Sequence, residues 1–230
     1  MPLIEINDVS KTYSSNGTAV RALDGVSLAI GEGEMVALMG PSGSGKSTLL
    51  SVLGAMNPPT RGSLTVDGID VYELSGERRA DFRHAYLGFV FQQLQLVPYL
   101  TAIENVMLPL AITRHSQQAQ TSMATAALAR VGVADKAGRL PSQLSGGEQE
   151  RVAIARALVN APPIILADEP TGSLDTQTGD EVMRTLQRLN EEGQTVVVVT
   201  HNPDNTRYVQ RVIRIRDGRI VPDDIPVTTV

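Results

Sequence analysis

Gly40-Pro41-Ser42-Gly43-Ser44-Gly45-Lys46-Ser47 is the stretch that decides how this chain is read. A short apolar run, Met35 to Met39, leads into it, and Lys46 to Leu53 beyond it has the pattern of a helix. The eight residues fit G-x-x-x-x-G-K-[ST], in the strand–loop–helix setting that this pattern needs. Glycines let the backbone curl until successive N–H groups point inward at phosphate oxygens, and the helix N-terminus adds its positive end. Lys46 would neutralise charge on the β- and γ-phosphates, and Ser47 would ligate Mg2+. The nucleotide-binding set expected from the loop is Gly40, Pro41, Ser42, Gly43, Ser44, Gly45, Lys46, Ser47 and Thr48. A Gly/Ser loop with a chance lysine would not explain the strand before it and the helix after it.

A second element complements the first. Ile164-Ile165-Leu166-Ala167 is an apolar strand that ends in Asp168-Glu169. Alone, two carboxylates at a strand end are commonly just solvated. Beside a phosphate loop, the first can hold Mg2+, usually through water, and the second can act on an attacking water as general base or orienter.

Composition excludes several other chemistries. The 230 residues have 42% hydrophobic and 20% charged side chains, an ordinary globular balance, with aromatics at 3% and a core that must be mostly aliphatic. A net charge of −5 argues against a nucleic-acid partner, whose footprint is a basic face. With no cysteine, disulfides, thiolate zinc sites and cysteine nucleophiles are excluded. Met1 to Lys11 shows no basic n-region or apolar h-region, so no signal peptide is expected. Leu94 to Ile112 is the longest apolar stretch, but Gln95, Glu104, Asn105, Pro98 and Pro109 interrupt it. A spanning helix needs about 20 apolar residues. The expectation is a soluble, cytoplasmic protein.

Periodicity places the remaining elements. Leu3 to Lys11 and Val20 to Ile30 read as half-buried strands, and Leu64–Val66 and Ile69–Val71 flank the tight-turn pair Asp67-Gly68. Ser75 to Ala85 reads as a helix, with Leu74-Ser75-Gly76-Glu77 as its cap, and Leu87 to Phe91 as a strand. From Thr101 to Asn160 strand runs vanish and helix formers prevail. Ile164–Ala167 and Thr195–Thr200, separated by the helix Gln177–Asn190, form a strand–helix–strand crossover and so a parallel sheet. Gln210–Arg216 and Arg219–Val221 flank a second turn pair, Asp217-Gly218. The expected fold class is α/β: a P-loop NTPase core with an N-terminal antiparallel β part and an inserted α-helical subdomain. The 230 residues form one domain, with 1–92 and 158–230 as catalytic core and 93–157 as helical insertion.

Leu144-Ser145-Gly146-Gly147-Glu148, continuing through Gln149 to Leu158, narrows the class. Ser145 and the paired glycines would form a flexible helix start that exposes N–H donors and the helix dipole to an anion. A simple N-cap accounts for Ser145 but not for two successive glycines, which weaken a helix start. This segment resembles the signature of ABC (ATP-binding cassette) transporter ATPases, and the resemblance covers almost the whole chain. The phosphate loop resembles the family's Walker A motif, and Asp168 and Glu169 match Walker B with its catalytic glutamate. Gln92 matches the Q-loop, with Gln93 beside it leaving the choice to the family pattern. Ser173-Leu174-Asp175 matches the D-loop, His201 the switch histidine, and Tyr13 the aromatic that stacks on adenine. Alone, these last residues would read as a polar strand end, a surface histidine and an edge-strand packing residue.

The family resemblance implies a dimer in which two copies bind two ATP molecules head to tail. Ser145, Gly146, Gly147 and Glu148 of one copy would face the phosphate loop of the other. It also implies the roles of single residues. Lys46 stabilises phosphate charge; Ser47, Gln92 and Asp168 surround Mg2+; Glu169 polarises water; His201 orients water and γ-phosphate; Asp175 links the two sites. Leu87–Gln93, Thr101–Leu110, Ala167–Asp175 and Val196–His201 resemble cassettes of the LolD, MacB and FtsE type, which serve lipoprotein release, macrolide export and cell division. The implied partner is an integral-membrane permease, which would hold the chain at the cytoplasmic face of the cell membrane. Leu94 to Leu110 is the candidate docking surface. A regulator of cell-wall hydrolases working through a permease-like partner remains an alternative. A soluble cassette acting on nucleic acid or the ribosome fits poorly with one cassette, no cysteine and an acidic balance.

Overall fold

The computed structural model describes residues 2–15 and 18–221. Two long strands, β1 (Pro2–Ser15) and β2 (Thr18–Gly31), pair antiparallel. After β3 (Met35–Met39) and α1 (Lys46–Leu53) come the short strands β4 (Arg61–Val66) and β5 (Ile69–Asp70). These join the first pair in a four-stranded sheet of order β2-β1-β4-β5. The turn between β4 and β5 has both central residues at positive φ, Asp67 at 49° and Gly68 at 75°. That conformation matches the twist of a two-residue hairpin, and Asp-Gly supplies it with little penalty.

The second sheet carries the chemistry. After α2 (Gly76–Tyr86) come β6 (Leu87–Val90) and three helices, α3 (Ala102–Met107), α4 (Gln117–Arg130) and α5 (Gly146–Leu158). The chain then returns through β7 (Ile164–Asp168), α6 (Thr176–Glu191), β8 (Thr195–Val199), β9 (Arg211–Arg216) and β10 (Arg219–Val221). The sheet order is β10-β9-β3-β8-β7-β6, parallel except for the hairpin strand β10. Its central strands are apolar on both faces, as the continuous Ile/Val/Leu runs require. Met35, Ala37, Ile165, Ala167, Val196 and Val198 face one core, which continues into the helical lobe. Val36, Leu38, Ile164, Leu166, Val197 and Val199 face the other, beneath α1 and the antiparallel sheet.

The apolar segment Leu94–Leu110 divides in two. Ala102, Val106 and Leu110 are buried core of the helical lobe, whereas Val97, Tyr99 and Leu108 are exposed. Glu104 and Asn105, which break the apolar run in sequence, have structural partners. Glu104 completes a capping box with Thr101 at the start of α3. Asn105 is fully buried: its Oδ1 accepts the Val97 N–H at 2.7 Å, and its Nδ2 donates to the carbonyls of Val97, Leu100 and Thr101. Arg156 of α5 donates to the carbonyls of Leu94 and Gln95, both at 2.7 Å, and so fastens the start of this segment to the helix. Among the described residues no helix is long and apolar enough to cross a membrane.

Candidate nucleotide site

The phosphate loop joins the end of β3 to α1. Gly45, at the helix N-cap, has φ 106°, and a methyl group there would stand 2.5 Å from the Ala22 carbonyl oxygen. Only glycine fits both the angle and the space. No side chain caps α1, so its first N–H groups keep their donors for an anion. The β9–β10 hairpin supports the loop from behind: Gly218 N–H donates to the Ser44 carbonyl at 3.0 Å and its own carbonyl accepts from Asp24 N–H at 2.8 Å. Asp217 and Gly218, at φ 50° and 75°, form that hairpin's turn. The tight-turn pair was readable in sequence; its seat under the phosphate loop was not.

In front of the loop lies a cleft of about 540 Å3, lined by Ala22, Ser42, Gly43, Gly45, Lys46, Ser47, Thr48, Gln92, Asp168, Glu169, Val199 and His201. Lys46 is buried, and its Nζ donates to the carbonyls of Gly40 and Pro41 at 2.7 and 2.9 Å. Burial pushes the Asp168 carboxyl up from the usual carboxylate range; the negative charge of Glu169 adds to this and Lys46 opposes it. Glu169 sits at φ 49°, a left-handed conformation that costs a non-glycine residue free energy and that recurs at functional sites. It is held there by its N–H on the Val199 carbonyl and by Gly172 N–H on its own carbonyl. This places its carboxylate 2.8 Å (Oε1) from His201 Nδ1. Gln92 lines the cleft and Gln93 does not.

Other expected site residues lie outside this cleft. Tyr13 projects from β1, half exposed, with Asn57 Nδ2 donating to its hydroxyl at 2.6 Å and Lys11 Nζ 5.3 Å from its ring centre. Ser145, Gly146, Gly147 and Glu148 stand at the head of α5 in the helical lobe. Ser145 and Glu148 form a reciprocal capping box: Ser145 Oγ accepts from Glu148 N–H, and Glu148 Oε2 accepts from Ser145 N–H at 2.8 Å. That hydrogen bond holds the Glu148 carboxyl below its ordinary range. Asp175 caps α6, accepting from the hydroxyl and N–H of Thr178, which keep its carboxyl low as well.

The paired glycines are not a flexible start. A methyl group at Gly146 would lie 3.0 Å from Leu174 Cδ2, and one at Gly147 would lie 2.4 Å from Thr178 Cγ2. They are small because the head of α5 packs tightly against the loop and helix beyond β7. That reason depends on a contact about thirty residues away and has no local signal.

A phosphate loop between a parallel strand and an uncapped helix, facing a carboxylate pair at the end of β7 two strands away in the same sheet, defines a P-loop NTPase with an inserted helical lobe. Residues 23–172 match the ABC transporter family. The lipoprotein-releasing system ATP-binding protein LolD of Geobacter metallireducens is 48% identical over 222 residues, which are 96% of this chain and 99% of that protein. The macrolide export ATP-binding/permease protein MacB of Syntrophobacter fumaroxidans is 49% identical over 226 residues; the match takes in 97% of this chain but only 32% of that protein, so the chain spans about a third of this curated relative. Among solved structures, a dimeric post-hydrolysis state of the ATP-binding cassette MJ0796 bound to ADP and Pi superposes with a TM-score of 0.86 at 45% identity, covering 95% of this chain and 97% of the other. The chain belongs to the ABC transporter family, as its ATP-binding and ATP-hydrolysing cassette.

Proposed function

We propose that two copies of this chain enclose two Mg2+·ATP between them, and that their closure drives a separate integral-membrane permease of the export, lipoprotein-release or force-transmitting kind. The observation that carries this reading is a separation. The cleft gathers Lys46, Asp168, Glu169 and His201, while Ser145, Gly146 and Gly147 stand outside it on the helical lobe. A second copy arranged head to tail would bring the α5 N-terminus to the γ-phosphate and complete the set of charge-neutralising donors.

Lys46 and the loop N–H groups hold the phosphates. Ser47, Gln92 and Asp168 line the cleft and fit a Mg2+ ion bound there, directly or through water; the ion would hold Asp168 ionised against its burial. Among the described residues no three His, Asp or Glu side chains cluster as a metal site, so the ion would be bound jointly with the nucleotide phosphates, as Mg2+ commonly is. A carboxylate only accepts hydrogen bonds, so the Glu169–His201 contact puts the ring proton on Nδ1 and leaves Nε2 for the γ-phosphate or the water. Glu169 polarises that water. Tyr13 would stack on adenine, and Asp175, beside the partner's site, would link the two halves.

Permease docking is assigned to the exposed part of the Leu94–Leu110 segment, Val97, Tyr99 and Leu108, while its buried part is core. On this reading the protein sits at the cytoplasmic face of a membrane through its partner. The test is size-exclusion chromatography of Glu169→Gln with and without Mg2+·ATP. A monomer that becomes a dimer only with ATP supports the reading; a chain that binds ATP and stays monomeric at micromolar concentration contradicts the sandwich.

A further inference from the structure

One amide lies buried between the two loops that carry the proposed hydrolytic pair. Asn205 is 3% exposed and sits in the 3-10 turn Pro203–Tyr208 after β8. Its Nδ2 donates to Thr171 Oγ1 at 3.1 Å and to Thr200 Oγ1 at 3.0 Å. Thr200 directly precedes His201 and is fully buried, with its N–H on the Leu38 carbonyl. Thr171 belongs to the turn that begins at Glu169, whose carbonyl accepts from Gly172 N–H, and Leu174 N–H returns to the Thr171 carbonyl. The two NH2 donors of a single side chain therefore tie the β7 loop to the end of β8. Thr200 Oγ1 also accepts from Asn202 N–H at 3.1 Å, so the segment around His201 is fixed on both sides.

We infer that Asn205 is a positioning residue for hydrolysis: it sets the separation of the Glu169 and His201 loops through Thr171 and Thr200, and so the contact between Glu169 Oε1 and His201 Nδ1. His201 is largely exposed, at 68% for its side chain, and Glu169 is in a left-handed backbone conformation. Packing leaves the His201 ring free to move, whereas the Glu169 side chain is 12% exposed and its backbone is hydrogen-bonded to Val199 and Gly172, so the contact depends on how the His201 segment is held against the Glu169 loop. Displacements of about 1 Å at a reacting centre cost on the order of 100-fold in rate, so a tether acting across these loops has leverage on turnover without touching nucleotide. The same tether continues outward. Leu174, in the loop between β7 and α6, bears on Gly146 at the head of α5. A shift of α5 would reach the Glu169 loop by way of Leu174 and Thr171, and Asn205 would pass it on to His201.

The inference rests on the reading of Glu169 and His201 as the hydrolytic pair, and the experiment separates the two. Steady-state ATPase activity is measured for Asn205→Leu, His201→Ala and the double variant, with nucleotide binding read independently by a fluorescent ATP analogue. Asn205→Leu keeps the volume and removes both donors. The expected result is a fall in kcat on the order of tenfold, with KM and analogue affinity within about twofold of the parent. In the His201→Ala background the same substitution should cost little more, since both act through one contact. Thr171→Val removes one acceptor from the other end of the tether and should show the same kcat-only loss even if Asn205→Leu folds poorly. Equal losses in both His201 backgrounds, a matching rise in KM, or no loss from either tether variant would overturn the positioning role. If His201→Ala alone leaves turnover unchanged, the hydrolytic-pair reading fails instead.

Discussion

Thr178 of α6 lies against Gly147 of α5 so closely that any side chain at 147 would force a shift: a methyl group there would stand 2.4 Å from Thr178 Cγ2. The same threonine donates its hydroxyl to Asp175. The head of the signature helix and the cap of α6 are thus one packed unit, and the two glycines that look like slack in the sequence are the reason that it can form.

Gly147→Ala should destabilise the protein by about 1–3 kcal/mol through overpacking and lower ATPase activity while ATP binding persists. Thr178→Ser removes Cγ2 but keeps the hydroxyl on Asp175. Combined with Gly147→Ala, it should recover at least half of the lost stability in a urea titration. No recovery would mean that the clash lies elsewhere.

Glu150 presents a different kind of test. It is 2% exposed on α5, its Oε1 has no hydrogen-bond partner, and burial pushes its carboxyl up to about 8, with Arg156 opposing the shift. A carboxyl raised in the folded state binds more protons there than in the unfolded chain. Stability is therefore greatest below the unfolded value near 4.5 and is lost as pH rises through the window up to about 8. Glu150→Gln should remove this contribution to the pH dependence and add about 1–3 kcal/mol at pH 8 and above. Melting curves of both proteins from pH 6 to pH 9 would show it; parallel curves would refute it.

Asn105 should matter more than its neighbours on α3. Asn105→Ala leaves the Val97 N–H and the Leu100 carbonyl without their partner, while the Val97 and Thr101 carbonyls keep the backbone N–H groups of residues 100 and 105, at a cost of about 2–4 kcal/mol. Hydrogen exchange at the Val97 amide should speed up while amides of β3 and β8 keep their protection. Uniform loss of protection would mean that Asn105 holds the whole lobe rather than this loop.

Several features were legible because they are local. The strands on either side of α6 announced themselves as unbroken apolar runs, and both Asp-Gly pairs predicted hairpins that the backbone angles bear out. The phosphate loop and the Asp168-Glu169 strand end could be set side by side because a parallel crossover leaves few alternatives. Asn105, Gly147 and Asn205 were not legible. Each is defined by a partner brought close only by the tertiary fold, and a buried amide has the same letter as a solvated one. The Leu94–Leu110 segment shows the same limit: hydropathy marked it as one stretch, and packing divides it into core and surface.

In the proposed dimer the phosphate site is finished by the signature of a second copy. The chain has no cysteine, so single thiols can be placed at will. Ser42→Cys and Ser145→Cys, each in a Glu169→Gln background, would be made as separate proteins, mixed, and treated with a short bis-maleimide. Crosslinked dimers of one protein with the other are expected on adding Mg2+·ATP, and none without nucleotide or with either protein alone. Crosslinking that ignores ATP, or its absence when ATP is bound, would contradict that arrangement.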